Sequence, residues 1–417
     1  MKLLFIIDRA HIKSDANINL VRGMLPYLTT ATALTQAHSV RFLGHTAQRG
    51  DTDAGCFYFG MDEKVRKLFF SLAGISPIQK LLRLLCHPVL SAFGCCKAMH
   101  IDWITGAYRR AIEHTCADFC PDAVIAVAAP FYTAKALAVA SIKCKKIIWM
   151  FDPWGTHYLT GGTIAKRQEK RCIKRVDVTF VPELLAENYT EANVRSMAFP
   201  GLLRMDDETE RNNAANAAGA LDPTATTRLY PQGKINLAFV GSLYADIRNP
   251  APLLRLLTAL SDERLQLTLV GGLYGEYSKE FHAEFDDYLA KHVTCVKQMD
   301  RKAALHYMQQ ADVLVNIGNT ISNQLPSKIF EYFSTGRPVL NLKQLEHCPA
   351  DGSMQKYPLS FTVDTTKPLT EATTRAVLDF LYQNAGKRLS YAQIEHLFPE
   401  NTPSAVAKKL LAAVKGE

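Results

Sequence analysis

Residues 316–342 read NIGNTISNQLPSKIFEYFSTGRPVLNL, a polar loop and a short helical pattern between two apolar strands. The first strand is predicted at 313–316 and the second at 338–342. Proline needs no N–H partner in the first turn of a helix, and glycine favours the position after the last turn. A helix is therefore predicted from near Pro326 to Gly336. Strand, helix and strand in this order are typical of a parallel sheet with crossover helices.

The start of this predicted helix has the chemistry of an anion site. Backbone N–H groups around Ser327 and Lys328 would face the crevice at the carboxyl edge of the sheet, where a helix start attracts a diphosphate. The ammonium of Lys328 adds a positive charge. Glu331 lies roughly 7.5 Å along the axis from Pro326, at 1.5 Å per residue. A carboxylate there is placed to accept both hydroxyls of a ribose attached to the diphosphate.

The same alternation of strands and helices extends over both halves of the 417-residue chain, which is too long for one ordinary hydrophobic core. Near-continuous apolar runs are typical of strands covered on both faces. Strands are predicted at 2–7, 39–43, 123–128, 146–151, 178–181 and 194–199, and again at 235–240, 265–270, 293–296, 313–316 and 338–342. The pattern predicts an α/β protein with two doubly wound domains, at 1–204 and 235–385. Residues 205–234 are expected to be a linker or mobile loop, and 386–417 a helical tail that packs back on the N-terminal domain.

Composition excludes several classes of protein. The chain has 48 Lys and Arg against 40 Asp and Glu, a net charge of +8, with no dense basic run of the kind that binds nucleic acid. The apolar run at 3–7 is too short for a secretory signal, and no stretch approaches the ~20 apolar residues that span a bilayer. The 10 cysteines lack the spacing of a zinc site, so we expect reduced thiols in the cytoplasm rather than a secreted solute-binding protein.

The residues from Leu325 to Leu340 resemble the donor-site segment of retaining, nucleotide-sugar-dependent glycosyltransferases of the GT-B type, the family-four-like group (glycosyl transferases group 1) of bacterial surface-polysaccharide synthesis. Further stretches of similarity are FVGSL at 239–243 followed by Arg248, LVGG at 269–272 and MQQADVLV at 308–315. Together they cover about residues 235–345. The resemblance implies two Rossmann-like domains facing across a cleft. The C-terminal one would bind the nucleotide sugar and the N-terminal one the acceptor.

The resemblance also implies roles for donor-site residues. Glu331 would bind the donor ribose. Ser327 and Lys328 would contact the diphosphate, Gly241 would let it approach the backbone, and Arg248 would be a countercharge to the leaving nucleotide. The other donor-binding residues would be Ser242, Gly271 and Pro326. The plainer alternatives are Glu331 as a solvated helix residue, Lys328 as a surface lysine, the glycines as turn residues, and Arg248 as the partner of Asp246 or a neighbouring carboxylate.

Asn323 marks a departure from the family pattern, which often has a second glutamate at this position, facing the transferred sugar. An amide can hydrogen-bond a sugar hydroxyl but cannot act as a carboxylate nucleophile. A double displacement through this position is therefore excluded, and a front-face retaining mechanism fits better by resemblance. The alternative is that Asn323 only caps the helix that follows.

The N-terminal half offers candidate acceptor and catalytic residues at strand ends. Asp152 follows the strand at 146–151 and is a candidate to orient the acceptor hydroxyl or accept its proton, with His157 nearby. Asp8, Arg9 and Asn17 follow the first strand, where an acceptor loop is expected. Ordinary turn, capping and loop hydrogen bonds are the alternative for all five.

Residues 64–99 contain no acidic residue and combine basic with leucine and phenylalanine residues. Such a surface can lie on an anionic bilayer, so peripheral membrane contact is one interpretation and an internal amphipathic helix the other.

The resulting hypothesis is a glycosyltransferase in the cytoplasm or on the inner face of the cell membrane. It would move a hexose-type sugar from a nucleotide-diphosphate-sugar donor to a hydroxyl of a glycan or lipid-linked acceptor in polysaccharide biosynthesis. No cofactor and no metal are expected, because cationic groups and helix amides can stabilise the leaving diphosphate. A nucleotide-sugar epimerase of the same fold and a non-catalytic nucleotide-sugar-binding partner subunit are the alternatives. A dinucleotide oxidoreductase is disfavoured, since no strand-linked G-x-G-x-x-G occurs.

Overall fold

The computed structural model describes residues 1–8, 16–29, 39–46, 56–60, 97–128, 131–152, 154–157, 161–203, 229–325 and 327–417. The chain divides into two compact units. The first comprises Met1–Ala198 and Val406–Glu417, and the second comprises Phe199–Ala405. The boundaries drawn from the sequence were 204 and 386, so the structure assigns 199–204 and 386–405 to the second unit.

The described strands of the first unit form a parallel sheet of seven in the order β3-β2-β1-β4-β5-β6-β7. The strands are β1 Lys2–Ile6, β2 Ser39–Thr46, β3 Cys56–Gly60, β4 Ala123–Ala128, β5 Lys145–Met150, β6 Val178–Pro182 and β7 Val194–Met197. The helices described in this unit are α1 Ala16–Thr29, α2 Lys97–Phe119, α3 Tyr132–Val139, α4 Thr163–Ile173 and α5 Glu183–Ala186.

Both faces of this sheet are covered, as the continuous apolar strands predict. Leu3 and Phe5 point to the face packed by α1, while Leu4 and Ile6 point to the face packed by α2 and α3. The C-terminal helix α13, Pro403–Lys415, brings Leu410 to the first of these faces. Alternate residues of each strand are therefore buried on opposite sides, the arrangement of a doubly wound sheet.

The described strands of the second unit form a six-stranded parallel sheet in the order β10-β9-β8-β11-β12-β13. The strands are β8 Ile235–Tyr244, β9 Leu265–Tyr274, β10 Val293–Val296, β11 Val313–Ile317, β12 Val339–Lys343 and β13 Ser360–Asp364. The helices before α13 are α6 Ala251–Leu260, α7 Lys279–His292, α8 Arg301–Gln310, α9 Lys328–Ser334, α10 Asp351–Lys356, α11 Glu371–Asn384 and α12 Tyr391–Leu397. Helices α6, α7 and α11 pack on one face, and α8, α9 and α12 on the other.

Strands β8 and β9 continue four residues beyond their predicted ends at 240 and 270, and they pair through to Tyr244 and Tyr274. The glycines at 241 and 271 therefore lie opposite each other inside a ladder rather than in a loop. A Cβ on Gly271, whose φ is +136°, would stand 1.9 Å from the carbonyl oxygen of Gly241. Glycine at 271 is thus required by the close approach of the two strands.

The terminal helix α13 has a side-chain cap at its start. The hydroxyl of Thr402 accepts a hydrogen bond from the N–H of Ala405 at 3.2 Å, and Pro403 is the first helical residue. Nothing among the described helices is both long and apolar enough to cross a bilayer. Of the proposed membrane-contacting segment 64–99, residues 64–96 lie outside the described residues.

Candidate functional site

The helix α9 is fixed to the sheet by its apolar side chains and one hydroxyl. Ile329, Phe330 and Phe333 are buried in the core of the second unit. The hydroxyl of Tyr332 accepts a hydrogen bond from the N–H of Val240 at 2.9 Å and donates one to its carbonyl oxygen at 3.0 Å. Tyr332 thereby ties α9 to Val240, in the second half of β8.

Tyr332 bonds to Val240 where the neighbouring strands β8 and β11 stop pairing with each other. The pairing of β8 with β11 covers only Leu237 and Ala238, so beyond Ala238 the backbone groups of β8 that face β11 need other partners. Those of Val240 find the Tyr332 hydroxyl. Strands β8 and β11 lie at the topological switch point of the sheet, where doubly wound folds bind ligands at the carboxyl edge. The residue before Tyr332 is Glu331.

Glu331 lies between two cations. Its Oε2 is 2.6 Å from Nζ of Lys328, and its Oε1 is 3.7 Å from Nε of Arg301 at the start of α8. Burial by itself raises the pKa of this carboxyl. The positive charges of Lys328 and Arg301 outweigh burial, so the pKa lies below its ordinary value. Glu331 is therefore an ionised carboxylate that is 15% exposed, at the edge of the core.

The helix start differs from the prediction. Helix α9 begins at Lys328, two residues after Pro326, which lies outside the described residues, and it is seven residues long. Ser327 occupies the N-cap position without a side-chain cap, and Asn323 lies in the preceding turn. At the other end Gly336 follows the helix at a φ of +71°, as predicted. With so short a helix, the charges of the site come mainly from side chains.

Arg248 reaches the loop after β11. Its Nε and Nη2 donate hydrogen bonds to Oδ1 of Asn319 at 2.9 and 2.7 Å, and its Nη1 donates to the carbonyl oxygen of Ser242 at 3.4 Å. Asn319 is 4% exposed. The structure thus gives Arg248 a buried, neutral amide partner that sequence reasoning did not suggest.

The structure joins the loops after β8 and β11 further. The N–H of Thr320 donates to the carbonyl oxygen of Ile247 at 2.9 Å, and Gln344 donates to that of Gly318 at 2.7 Å. Within the second unit, the predicted residues Ser242 and Arg248 therefore meet at the carboxyl edge of the sheet.

Two residues of this site were missed by sequence reasoning. Arg301 is 30 residues before Glu331 in the chain, and Asn319 is 71 residues after Arg248. No local spacing links either pair. Each residue had one weak signal. Asn319 lies inside the segment 316–342, and Arg301 follows Asp300, which caps helix α8.

In the first unit, Asp152 and His157 lie close together in the segment after β5. The charge of Asp152 raises the pKa of His157, but burial outweighs it and the pKa of His157 is lowered. The His157 ring lies edge-on against Phe131 with centroids 5.6 Å apart, and Phe131 stacks on Trp154 at 5.4 Å.

A buried glutamate holds this segment to α4. Glu169 accepts hydrogen bonds from the hydroxyl of Tyr189 at 2.7 Å and from the N–H of Gly155 at 3.1 Å. Burial raises the pKa of Glu169 in spite of these bonds. The segment that carries Asp152 and His157 is thus anchored by a residue that the sequence analysis did not identify.

The remaining acceptor candidates are only partly described. Asp8 is 7% exposed, and its Oδ1 accepts a hydrogen bond from the hydroxyl of Tyr108 in α2 at 2.9 Å. Arg9 lies outside the described residues, and Asn17 is described only by its backbone in α1. Across the part of the chain that the structure describes, no three His, Cys, Asp or Glu side chains are arranged to hold a metal ion.

No protein-family model and no curated protein matches the sequence. Solved structures do resemble the chain over its full length. The lipopolysaccharide outer core galactosyltransferase WaaB has 11% identity and a TM-score of 0.56, with 100% of this chain and 99% of that chain covered. Anabaena HepE in complex with UDP and glucose has 13% identity and a TM-score of 0.59, with 100% of both covered.

A third similar structure is the UDP-GlcNAc 2-epimerase of Methanocaldococcus jannaschii, with 10% identity, a TM-score of 0.55 and 100% of both chains covered. Identities this low establish shared architecture and not shared activity. The fold class predicted from the sequence is confirmed: the chain has a GT-B-type fold of two Rossmann-like α/β units.

Proposed function

We propose that this protein is a glycosyltransferase that uses a nucleotide-diphosphate-sugar donor. The observation that carries the proposal is the ionised Glu331 beside Tyr332, at the point where β8 and β11 part. The similar structures support it, since they include a galactosyltransferase and a complex with UDP and glucose.

In the proposed donor complex, Glu331 accepts hydrogen bonds from both ribose hydroxyls. Each is a bond from a neutral donor to an ionised acceptor, the stronger kind of hydrogen bond. Lys328 turns from Glu331 to the diphosphate, which carries more negative charge than one carboxylate. Arg301 then remains as the cation that keeps Glu331 ionised.

Arg248 supplies further positive charge to the leaving nucleotide, and Asn319 holds its guanidinium by two bonds. We propose that these cations, with the backbone near Pro326, Ser327, Gly241 and Gly271, stabilise the diphosphate without a metal. Turnover is then expected to survive chelation by EDTA.

We propose that the transferred sugar is a hexose and that its anomeric configuration is retained by a front-face mechanism. Asn323 would contact a sugar hydroxyl. Asp152, with His157 beside it, would orient the acceptor hydroxyl, and Asp8, Arg9 and Asn17 would contribute to the acceptor site. The acceptor would be a glycan or lipid-linked hydroxyl in polysaccharide biosynthesis, reached at the cytoplasmic membrane face through residues 64–99.

Donor binding to the Glu331→Ala variant tests the proposal. We expect calorimetric titration of the wild type with a panel of nucleotide-diphosphate sugars to identify a donor, and Glu331→Ala to lose at least tenfold in affinity. Glu284→Ala is the matched control, because Glu284 pairs with Arg255 on the exposed surface of α6 and α7. Equal affinities in wild type and Glu331→Ala would overturn the donor site.

An epimerase is the second candidate, since a UDP-GlcNAc 2-epimerase shares the fold. Product analysis by NMR separates the candidates. An epimerase converts the sugar nucleotide without an acceptor, whereas a transferase releases the nucleotide diphosphate. Donor binding with neither outcome across a broad acceptor screen would favour a non-catalytic subunit.

A further inference from the structure

Three cysteines lie together in the first unit, where α2 ends and β5 begins. Cys116 is in the last turn of α2, Cys120 follows that helix directly, and Cys144 precedes β5. The thiols of Cys116 and Cys144 lie close enough to interact with each other. None of the three is in a disulfide.

The surrounding structure fixes this contact. One turn before Cys116, Oε1 of Glu113 accepts a hydrogen bond from the N–H of Ser141 at 2.8 Å, which joins α2 to the segment that leads into Cys144. On the other side, the N–H of Lys145 donates to the carbonyl oxygen of Asp122 at 3.1 Å. Both sulfur-bearing side chains also pack on the same apolar cluster. The fold therefore brings the two sulfurs together.

The two thiols differ in their ease of ionisation. Contact with the Cys116 thiol lowers the pKa of Cys144 and outweighs burial, and the charge of Lys146 lowers it further. The same contact raises the pKa of Cys116, and burial raises it further. Since the thiolate is the reactive form, Cys144 is the nucleophile and Cys116 its partner. Both side chains are half-buried, so small oxidants reach them.

Cys120 adds an unusual feature to the cluster. It has a φ of +50°, a left-handed conformation that glycine or asparagine usually takes after a helix. Its N–H donates to the carbonyl oxygen of Cys116 at 3.0 Å, which holds the exposed Cys120 one helical turn from Cys116. A third thiol is thus kept near the pair in a backbone conformation that residues other than glycine rarely adopt.

We propose that Cys116 and Cys144 form a reversible modification site that oxidants of the peroxide class convert into a disulfide. The Cys144 thiolate attacks one peroxide oxygen, the O–O bond breaks, and the leaving hydroxide takes the proton of the Cys116 thiol. The Cys116 thiolate then attacks the sulfenic sulfur of Cys144, and the S–O bond breaks with release of hydroxide, which solvent protonates. Two thiols and one peroxide thus give one disulfide and two waters, and a dithiol reductant reverses the change.

The test treats the full-length protein with one equivalent of hydrogen peroxide, blocks the remaining thiols and maps the peptides by mass spectrometry. We expect a Cys116–Cys144 cross-link that lowers the intact mass by two hydrogens and disappears with dithiothreitol. Cys144→Ser is expected to abolish it. Cys116→Ser is expected to leave a sulfenic acid on Cys144 that dimedone traps.

Cys172→Ser is the matched control, because burial raises the pKa of that thiol to about 12 and it lies in α4. This variant is expected to form the cross-link like the wild type. Absence of the cross-link in the wild type would overturn the proposal, as would a cross-link that joins Cys120 to either partner instead. The wild-type map decides the question even if a serine variant fails to fold.

Discussion

Glu331 and Tyr332 are neighbours in sequence with opposite environments. The Tyr332 ring is 1% exposed and its hydroxyl satisfies both backbone groups of Val240, while Glu331 reaches the polar edge of the same helix. The charges of Lys328 and Arg301 favour the ionised form of Glu331, and the Tyr332 hydroxyl fixes the helix that carries it. The candidate ribose contact therefore depends on a residue that would touch no ligand.

Removing the Tyr332 hydroxyl tests whether it fixes helix α9 to strand β8. Tyr332→Phe leaves the buried N–H and carbonyl of Val240 without their partner, which is expected to cost about 1–3 kcal/mol in the free energy of unfolding. Urea denaturation measures this cost, and calorimetry is expected to show weaker donor binding as well. In the control variant Tyr382→Phe, the lost hydroxyl belongs to an exposed ring and bonds Asp262, which Arg264 also pairs, so a change within ±0.5 kcal/mol is expected. Equal effects of the two substitutions would contradict the tether.

His157 gives the first unit a pH dependence. Because burial lowers its pKa below the ordinary 6.5, the unfolded chain takes up the proton first as the pH falls. The stabilisation is complete above pH 6.5 and is lost as the pH falls toward the pKa of the folded state. Thermal unfolding between pH 7 and pH 5 is expected to show a smaller loss of stability in His157→Gln than in the wild type. The control is His114→Gln, which removes an exposed imidazole beside Asp118.

The sequence predicted some of these residues and missed others for a physical reason. Glu331 and Lys328 are three residues apart on one helix, so their proximity follows from helix geometry. Arg301 and Asn319 reach the site only through the sheet order, which places the ends of distant strands side by side. The spacing of strands in the sequence does not predict which side chains of the following loops contact each other.

At the level of elements, strand existence was more predictable than strand ends. The prediction for 123–128 matches β4, but β8 and β9 were ended at a glycine that proves to be internal. Strand β3 was missed although aromatic residues between two glycines favour a strand. Strand β13 was missed because it is a short edge strand, mostly half-buried, whose apolar pattern is weak.

The close approach of Gly241 in β8 and Gly271 in β9 can be tested by substitution. Gly271→Ala places a methyl group against the carbonyl oxygen of Gly241 and is expected to destabilise the second unit by more than about 1 kcal/mol. Gly352→Ala is the contrasting variant, because no atom lies within 4 Å of the added Cβ in α10. It is expected to stabilise by about 0.4–1 kcal/mol. Thermal unfolding distinguishes the two signs, and a tolerated Gly271→Ala would contradict the close approach.

On the scale of the whole molecule, the first unit is built from two separate stretches of chain. Val406 and Leu410 of α13 pack in the same core as Leu3 and Ile125, although the whole second unit lies between them in sequence. The Nζ of Lys145 donates hydrogen bonds to the carbonyl oxygens of Ala413 and Val414 at 3.1 and 3.2 Å, which ends the helix against β5.

Leu410→Ala tests this discontinuous core. The cavity is expected to cost about 2–5 kcal/mol and to act on the first unit. Hydrogen exchange measured by mass spectrometry should show lost protection in β1, β4 and β5 and unchanged protection in β8 and β11. Lys409→Ala, at an exposed position of the same helix, is the control. Loss of protection confined to the second unit would refute the assignment of α13.

The return of α13 also orders events during synthesis. The second unit is one uninterrupted segment of the chain, so its folding needs no residue that follows Ala405. The first unit, although its strands emerge earlier, keeps part of the apolar face beside α1 uncovered until residues 406–414 follow. An N-terminal domain that waits for its final helix inverts the usual order of vectorial folding, and a holdase chaperone would meet the nascent chain at that face.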